Sequence, residues 1–386
     1  MSAVFALGFS LGCLGPASST GTTGGSNATG GTTGGPLTAK PGLQFNAGFS
    51  GSYGPIALTA AAGEGELFFS DATDAGYTYL LQHLSTAGKA AGGNVEVAVG
   101  TPVAPPKVAV SSNGTEISCC WEDFGSLGPS SPTAAQVTRC NSVPVTGKAT
   151  DDAMDGGFGD FGFTPSIAQG ALTTALVYLQ DNDQGTDSWV SEAILYDGSR
   201  MPATFIAPYF VPELQIAPLG DGFILFVSDG GALALSQQAS GLENDGGLQP
   251  VPNGAGTGSF AVATNAIPAL PAVTAVLVHQ GSSVATTLLG TANPTAIEVS
   301  SATEQPLDAL AAVACNAGTF GFAYALDGGG VALREMSTQG VIEGTTTVLT
   351  NFGTNVTSVG LAAVDGGILI AAGNSGNIAV YSAPCP

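Results

Sequence analysis

One unit recurs along this chain: a short, strongly apolar run ends in a polar turn and is followed at once by a second run. It appears as Leu67 to Asp71 (LFFSD), Ile117 to Asp123 (ISCCWED) and Leu176 to Asp181 (LVYLQD). Four more copies follow, at Phe223 to Asp229, Val276 to Gln280, Phe320 to Asp327 and Ile368 to Asn374. Their terminal polar residues, Asp71, Asp123, Asp181, Asp229, Gln280, Asp327 and Asn374, lie 52, 58, 48, 51, 47 and 47 residues apart. A unit of this size cannot bury its apolar face alone and has to stack on its neighbours, so the seven copies are expected to fold together.

The units read as strands. With Gly 57 and Pro 23 in 386 residues, the chain is punctuated too often to be mostly helical. A strand precedes the apolar run, as in Val108 to Ser111 or Leu310 to Ala314, and Asn113-Gly114 and Asp221-Gly222 supply hairpin turns. A more polar third strand follows, as in Glu192 to Tyr196 or Val331 to Glu335, then a variable fourth such as Thr345 to Thr350. After Asn374 only one strand fits, Asn377 to Ser382, while Leu43 to Gly48 stands alone before the first unit and could supply the missing one. Closure by strands from both termini would remove an exposed sheet edge.

In period and pattern the region resembles β-propellers of the broad WD40, Kelch and quinoprotein-like superfold. The resemblance implies an all-β chain folded as a single seven-bladed propeller of four-stranded antiparallel blades, its ring closed by an N-terminal strand, over residues 43–386 at about 49 residues per blade. None of the signatures particular to those families recurs, so the family stays open. Tandem β-sandwiches of similar strand spacing are the alternative.

The first 13 residues, MSAVFALGFSLGC, hold an apolar run from Ala3 to Leu11 ahead of Cys13. This resembles a bacterial lipoprotein signal peptide, which implies removal of residues 1–12 and a diacylglycerol on Cys13. Residues 13–42 then form a tether, because Ala17 to Gly35 holds only small and polar residues and cannot build a core. A Gly-rich coil of that length spans about 30 Å on average. No later stretch offers 18 consecutive apolar residues, so the lipid would be the membrane contact and the address the cell envelope, on its periplasmic or surface side.

Seven basic residues against 29 acidic ones, net charge −22, leave no basic stripe for phosphates, which excludes nucleic acid as a partner. Beyond Cys13 there are five cysteines without zinc spacing. Cys119 and Cys120 point to opposite faces of one strand, so only one of them can share a face with Cys140 and a thiol is left over. Cys315 and Cys385 are either a second bridge or two buried thiols.

Chemistry-bearing motifs are few. Gly8 to Gly12 and Gly157 to Gly162 match a nucleophile elbow and a dinucleotide fingerprint, but the first has no strand before it and the second no helix after it. His83 and His279 sit in strand patterns and read as packed or hydrogen-bonded residues. In Asp181-Asn182-Asp183-Gln184-Gly185-Thr186-Asp187 the carboxylates of Asp181, Asp183 and Asp187 surround a glycine, which reads first as a solvated hairpin turn and, as the alternative, as a calcium loop, calcium being the one cofactor this chain suggests. With Asp71, Asp74, Glu122, Asp123, Asp229 and Asp327 in turns after second strands, one face should be negative, for binding a cation or a basic partner or simply for solubility. The resulting expectation is a monomeric binding or scaffold module for a protein or glycan. The alternative is a hydrolase or lyase that works on a carbohydrate-like substrate through central-channel carboxylates, with Trp121 or Trp189 as an aromatic platform.

Overall fold

The computed structural model describes residues 39–46, 53–73, 76–100, 106–125, 135–146, 162–171, 173–181, 188–196, 199–200, 204–208, 213–228, 232–238, 248–255, 259–265, 272–291, 294–315, 318–351 and 354–385. All of them belong to one unit, Gly34–Pro386. Every regular element among them is a β-strand, in seven antiparallel sheets. No helix among the described residues is long and apolar enough to cross a membrane.

Each sheet begins with an inner strand: Tyr53–Ala61, Val108–Ser112, Gly162–Gln169, Glu213–Leu219, Phe260–Asn265, Pro306–Cys315 and Ser358–Val364. The second strands are Glu64–Thr73, Glu116–Gly125, Thr174–Asp181, Gly222–Ser228, Val273–Gln280, Thr319–Leu326 and Gly367–Gly373, so each recurring apolar run of the sequence is the second strand of a different sheet. Third strands such as Ala135–Pro144 and Gly330–Ser337 follow, then outer strands such as Ile342–Asn351. The second sheet has three strands among the described residues. In the seventh, Lys40–Asn46 pairs antiparallel with Asn377–Ala383, from Lys40 opposite Ser382 to Asn46 opposite Asn377.

The second strands read as unbroken apolar runs because both of their faces are covered. Gly222–Ser228 and Gly367–Gly373 are buried at every position. In Thr319–Leu326 the alternation divides by size: Phe320, Phe322 and Tyr324 pack toward the fifth sheet, while Ala323 and Ala325 pack toward the seventh. Large against small on opposite faces lets successive sheets interdigitate without voids.

Neighbouring sheets touch chiefly through their inner strands, each against the next in chain order, and Ser358–Val364 also touches Tyr53–Ala61. Side chains join them. The Ser166 hydroxyl accepts the Ile216 N–H at 3.1 Å, Gln215 donates to the Phe260 carbonyl at 2.6 Å and accepts from the Val262 N–H at 3.1 Å, and Ser358 accepts the Ile56 N–H at 2.9 Å. These polar residues pair inner-edge backbone groups that the sheets leave unmatched.

Two disulfides crosslink the fold. Cys120 lies directly opposite Cys140 in the strand register and is bonded to it, whereas Cys119 lies opposite Asn141 and remains a buried thiol facing the first sheet. Burial pushes the Cys119 thiol up, the nearby Glu66 adding to the shift. Cys315–Cys385 ties the chain after the last strand to the inner strand of the sixth sheet.

Candidate functional site

Where the inner strands begin, polar side chains from five sheets gather at one end of the fold. Lys107 immediately precedes the second inner strand, Thr164 is the third residue of the next, Glu213 opens the fourth, Ser259 precedes the fifth, and Asp308 is the third residue of the sixth. His279, near the end of the second strand of the fifth sheet, is held at the same end by its N–H bond to the Ser259 carbonyl at 2.9 Å.

The Lys107 side of this mouth is built around a distortion. Thr164 has φ 54°, a left-handed conformation that a β-branched residue rarely adopts, and it sits where the register between the third inner strand and its neighbour shifts. Glu122 holds it there: one carboxylate oxygen accepts the Thr164 N–H at 2.6 Å and the other accepts the Lys107 N–H at 3.0 Å. The Lys107 ammonium reaches the Thr164 hydroxyl at 3.3 Å. No carboxylate lies within ion-pair distance of that ammonium among the described residues.

Across the mouth, His279 Nδ1 is 2.7 Å from Asp308 Oδ1, which the Ser259 hydroxyl also approaches at 3.4 Å. His279 Nε2 is buried without a hydrogen-bond partner, and Asp308 is largely exposed. Glu213 stands in the electrostatic reach of both sides. Burial pushes its carboxyl up to about 7; the Lys107 charge opposes the shift, Asp308 adds to it, and hydrogen bonds from the Phe260 backbone and Gln215 oppose it. The mouth thus offers an ammonium with no carboxylate partner among the described residues, a carboxyl raised by burial to about 7, and an exposed carboxyl that bonds a histidine.

Several expected site residues are placed differently. Glu122 and Asp123 were expected on an exposed acidic face, but their strand runs on to Gly125, so both are buried: Glu122 braces Thr164 and Asp123 pairs with Arg139 at 3.0 Å. Asp71 lies within its strand, half-buried, its carboxyl raised by burial, while Asp327 is exposed in its turn. Asp181 ends its strand opposite Ser188; Asp74, Asp183, Asp187, Asp229 and Cys13 lie outside the described residues. No group of three or more potential metal ligands occurs among the described residues.

Trp121 is no platform. It is 2% exposed, packed between the first two sheets with its ring 5.0 Å from Tyr79 and 6.5 Å from Phe68. His83 bonds Glu66 at 2.6 Å, and burial pushes the Glu66 carboxyl up to about 7 against the opposing effect of that histidine. Lys107, Thr164, Glu213, Ser259 and Asp308 carried no motif, but they fall about one repeat apart, so the period that located the turns also locates this mouth.

No protein-family model matches the chain, and no curated protein sequence matches it. Solved structures do. A polysaccharide lyase, the PL25 ulvan lyase, aligns with a TM-score of 0.57 at 10% identity over 89% of this chain and 96% of its own. A lectin from Burkholderia pseudomallei aligns with a TM-score of 0.56 at 15% identity over 88% and 99%. The fungal lectin of Aleuria aurantia, a six-bladed β-propeller, gives 0.51 at 11% over 78% and 98%. The fold is a β-propeller. At these identities the likeness carries the fold alone. This propeller spans about half the length of two other matched structures, 53% of a Trypanosoma rangeli sialidase and 52% of a Mycobacterium tuberculosis peptidase.

Proposed function

We propose that this chain is a seven-bladed propeller, anchored by lipid on Cys13 at the cell envelope, that works as a monomeric binding module with its ligand seated at the mouth formed by Lys107, Glu213, Asp308 and His279. Seven sheets whose inner strands touch in chain order, the last against the first, support the count of blades. The pairing of Lys40–Asn46 with the last strand supports closure by the N-terminal strand. The observation that carries the site is the convergence of Lys107, Glu213 and the Asp308–His279 pair from separate sheets on one end of the inner strands. A few polar groups converging from different elements are a usual feature of ligand sites. Fold neighbours that include lectins and a polysaccharide lyase favour a glycan over a protein as the partner.

A second reading, a hydrolase or lyase for a carbohydrate-like substrate, is favoured by one observation. Burial raises the Glu213 carboxyl to about 7, while Asp308 of the same mouth is exposed, and two carboxyls in unlike surroundings are how such sites divide acid and base roles. Incubating the protein with a panel of neutral and acidic polysaccharides, and following both retention of the glycan and release of new chain ends, separates the readings. Retention without new ends is the expected result; new ends lost in Glu213→Gln establish the enzyme; neither retention nor new ends overturns both. For the anchor, Cys13→Ser should release the protein in soluble form and abolish labelling by a fatty acid.

A further inference from the structure

We propose that the mouth selects a hydroxylated carboxylate, such as an acidic sugar residue, by seating the carboxylate on Lys107 and the hydroxyls on Asp308. This rests on the binding reading above and names the ligand class for that same site.

Three observations point to an anion at Lys107 in a chain of net charge −22. The ammonium has no carboxylate partner among the described residues, while Arg139 and Arg334 are paired with Asp123 and Glu304. The acid that accepts its backbone N–H, Glu122, has both oxygens occupied by backbone N–H groups. The residue it does touch, Thr164, is held in a strained conformation by that same glutamate, and such strain persists where the surroundings impose it, commonly at ligand sites. Thr164 thereby fixes the direction of an otherwise floppy side chain. On the opposite side, Asp308 spends one oxygen on His279 and Ser259 and exposes the rest of its carboxylate, an acceptor suited to sugar hydroxyls.

Glu213 makes the selection depend on pH. The groups facing it are Lys107, Asp308, Gln215 and the Phe260 backbone; the other polar groups of the mouth among the described residues are Glu122, Thr164, Ser259 and His279. As a neutral acid Glu213 leaves the field of Lys107 to the ligand. As a carboxylate it competes for Lys107 and repels the incoming anion, so affinity falls as pH rises through about 7.

Methyl β-glucuronoside and methyl β-glucoside differ only in a carboxylate against a hydroxymethyl group, and calorimetric titration of both at pH 5.5 and pH 8 tests the proposal. At pH 5.5 the glucuronoside should bind about tenfold more tightly, the scale of one charge-assisted hydrogen bond. That preference should shrink at pH 8, persist there in Glu213→Gln, disappear in Lys107→Met and invert in Lys107→Glu. Lys107 is exposed, so its variants should keep wild-type melting temperatures, which separates loss of the site from loss of the fold. Equal affinity for the two glycosides at pH 5.5 overturns the proposal and leaves the binding reading standing. Absence of binding by either glycoside, and by the polysaccharides above, overturns both.

Discussion

Replacing Glu122 by Gln should destabilise the fold, because this carboxylate is buried within its strand and bonds two backbone groups. The carboxylate is 7% exposed and accepts two backbone N–H groups from different sheets, that of Thr164 at 2.6 Å and that of Lys107 at 3.0 Å. Gln is nearly the same size but has one acceptor oxygen, and its amide presents hydrogens to the second N–H. One charge-assisted bond, worth about 1.5–3 kcal/mol, is lost, and a buried donor is left unpaired, so the expected cost is about 2–4 kcal/mol. Thr164 supplies the internal check. Its φ of 54° is tolerated because Glu122 holds the N–H, and Thr164→Gly removes the strain of about 1–3 kcal/mol that a β-branched residue bears there. In Glu122→Gln the glycine should therefore recover part of the loss, and the two substitutions should be non-additive. Urea unfolding of the four proteins of this double-mutant cycle measures both quantities. A cost below about 0.5 kcal/mol for Glu122→Gln, or strict additivity, would refute the claim that this carboxylate sets the geometry of the mouth.

Three further outcomes follow from the structure. Glu335 is 3% exposed and burial pushes its carboxyl from 4.5 up to about 7, with Glu343 adding to the shift; a raised acid favours the folded state below about 4.5 and loses that contribution as pH rises through 7. Glu335→Gln should therefore gain on wild type by about 3 kcal/mol between pH 4 and pH 9, and a difference independent of pH would contradict it. Cys385→Ser opens a crosslink across 70 residues and should cost about 4 kcal/mol on the chain-entropy account, read by denaturant unfolding, with an unchanged midpoint counting against it. If Asp181, Asp183 and Asp187 hold calcium, millimolar calcium should raise the melting temperature of wild type and not of Asp183→Ala; equal melts with calcium and with chelator would leave an ordinary turn.

What could be read from the sequence follows from what burial imposes on it. A second strand covered on both faces must be apolar throughout, as FGFAYAL is, so its seven copies stood out. Cys119 and Cys120 were separable because side chains alternate along a strand, and the register then put Cys120 opposite Cys140. The acidic face does not extend to Glu122 and Asp123: a polar pair after an apolar run looks like a turn in sequence, and only the third dimension brings Lys107, Thr164 and Arg139 to satisfy these buried carboxylates. Trp121 looked available for the same reason, until the first sheet covered it. The mouth itself lacks any local motif, since its members are separated by whole repeats and each is an ordinary residue at the start of a strand.

The most direct test of the central claim, that the ligand sits on the mouth spanned by Lys107 and Asp308, is a glycan-array comparison of the wild type with the double variant Lys107→Glu, Asp308→Ala. Both positions are exposed, so the fold should survive the change. The wild type should retain a set of glycans that the folded double variant loses entirely. The same glycans retained equally by both proteins would put the binding site elsewhere on the propeller and contradict the account.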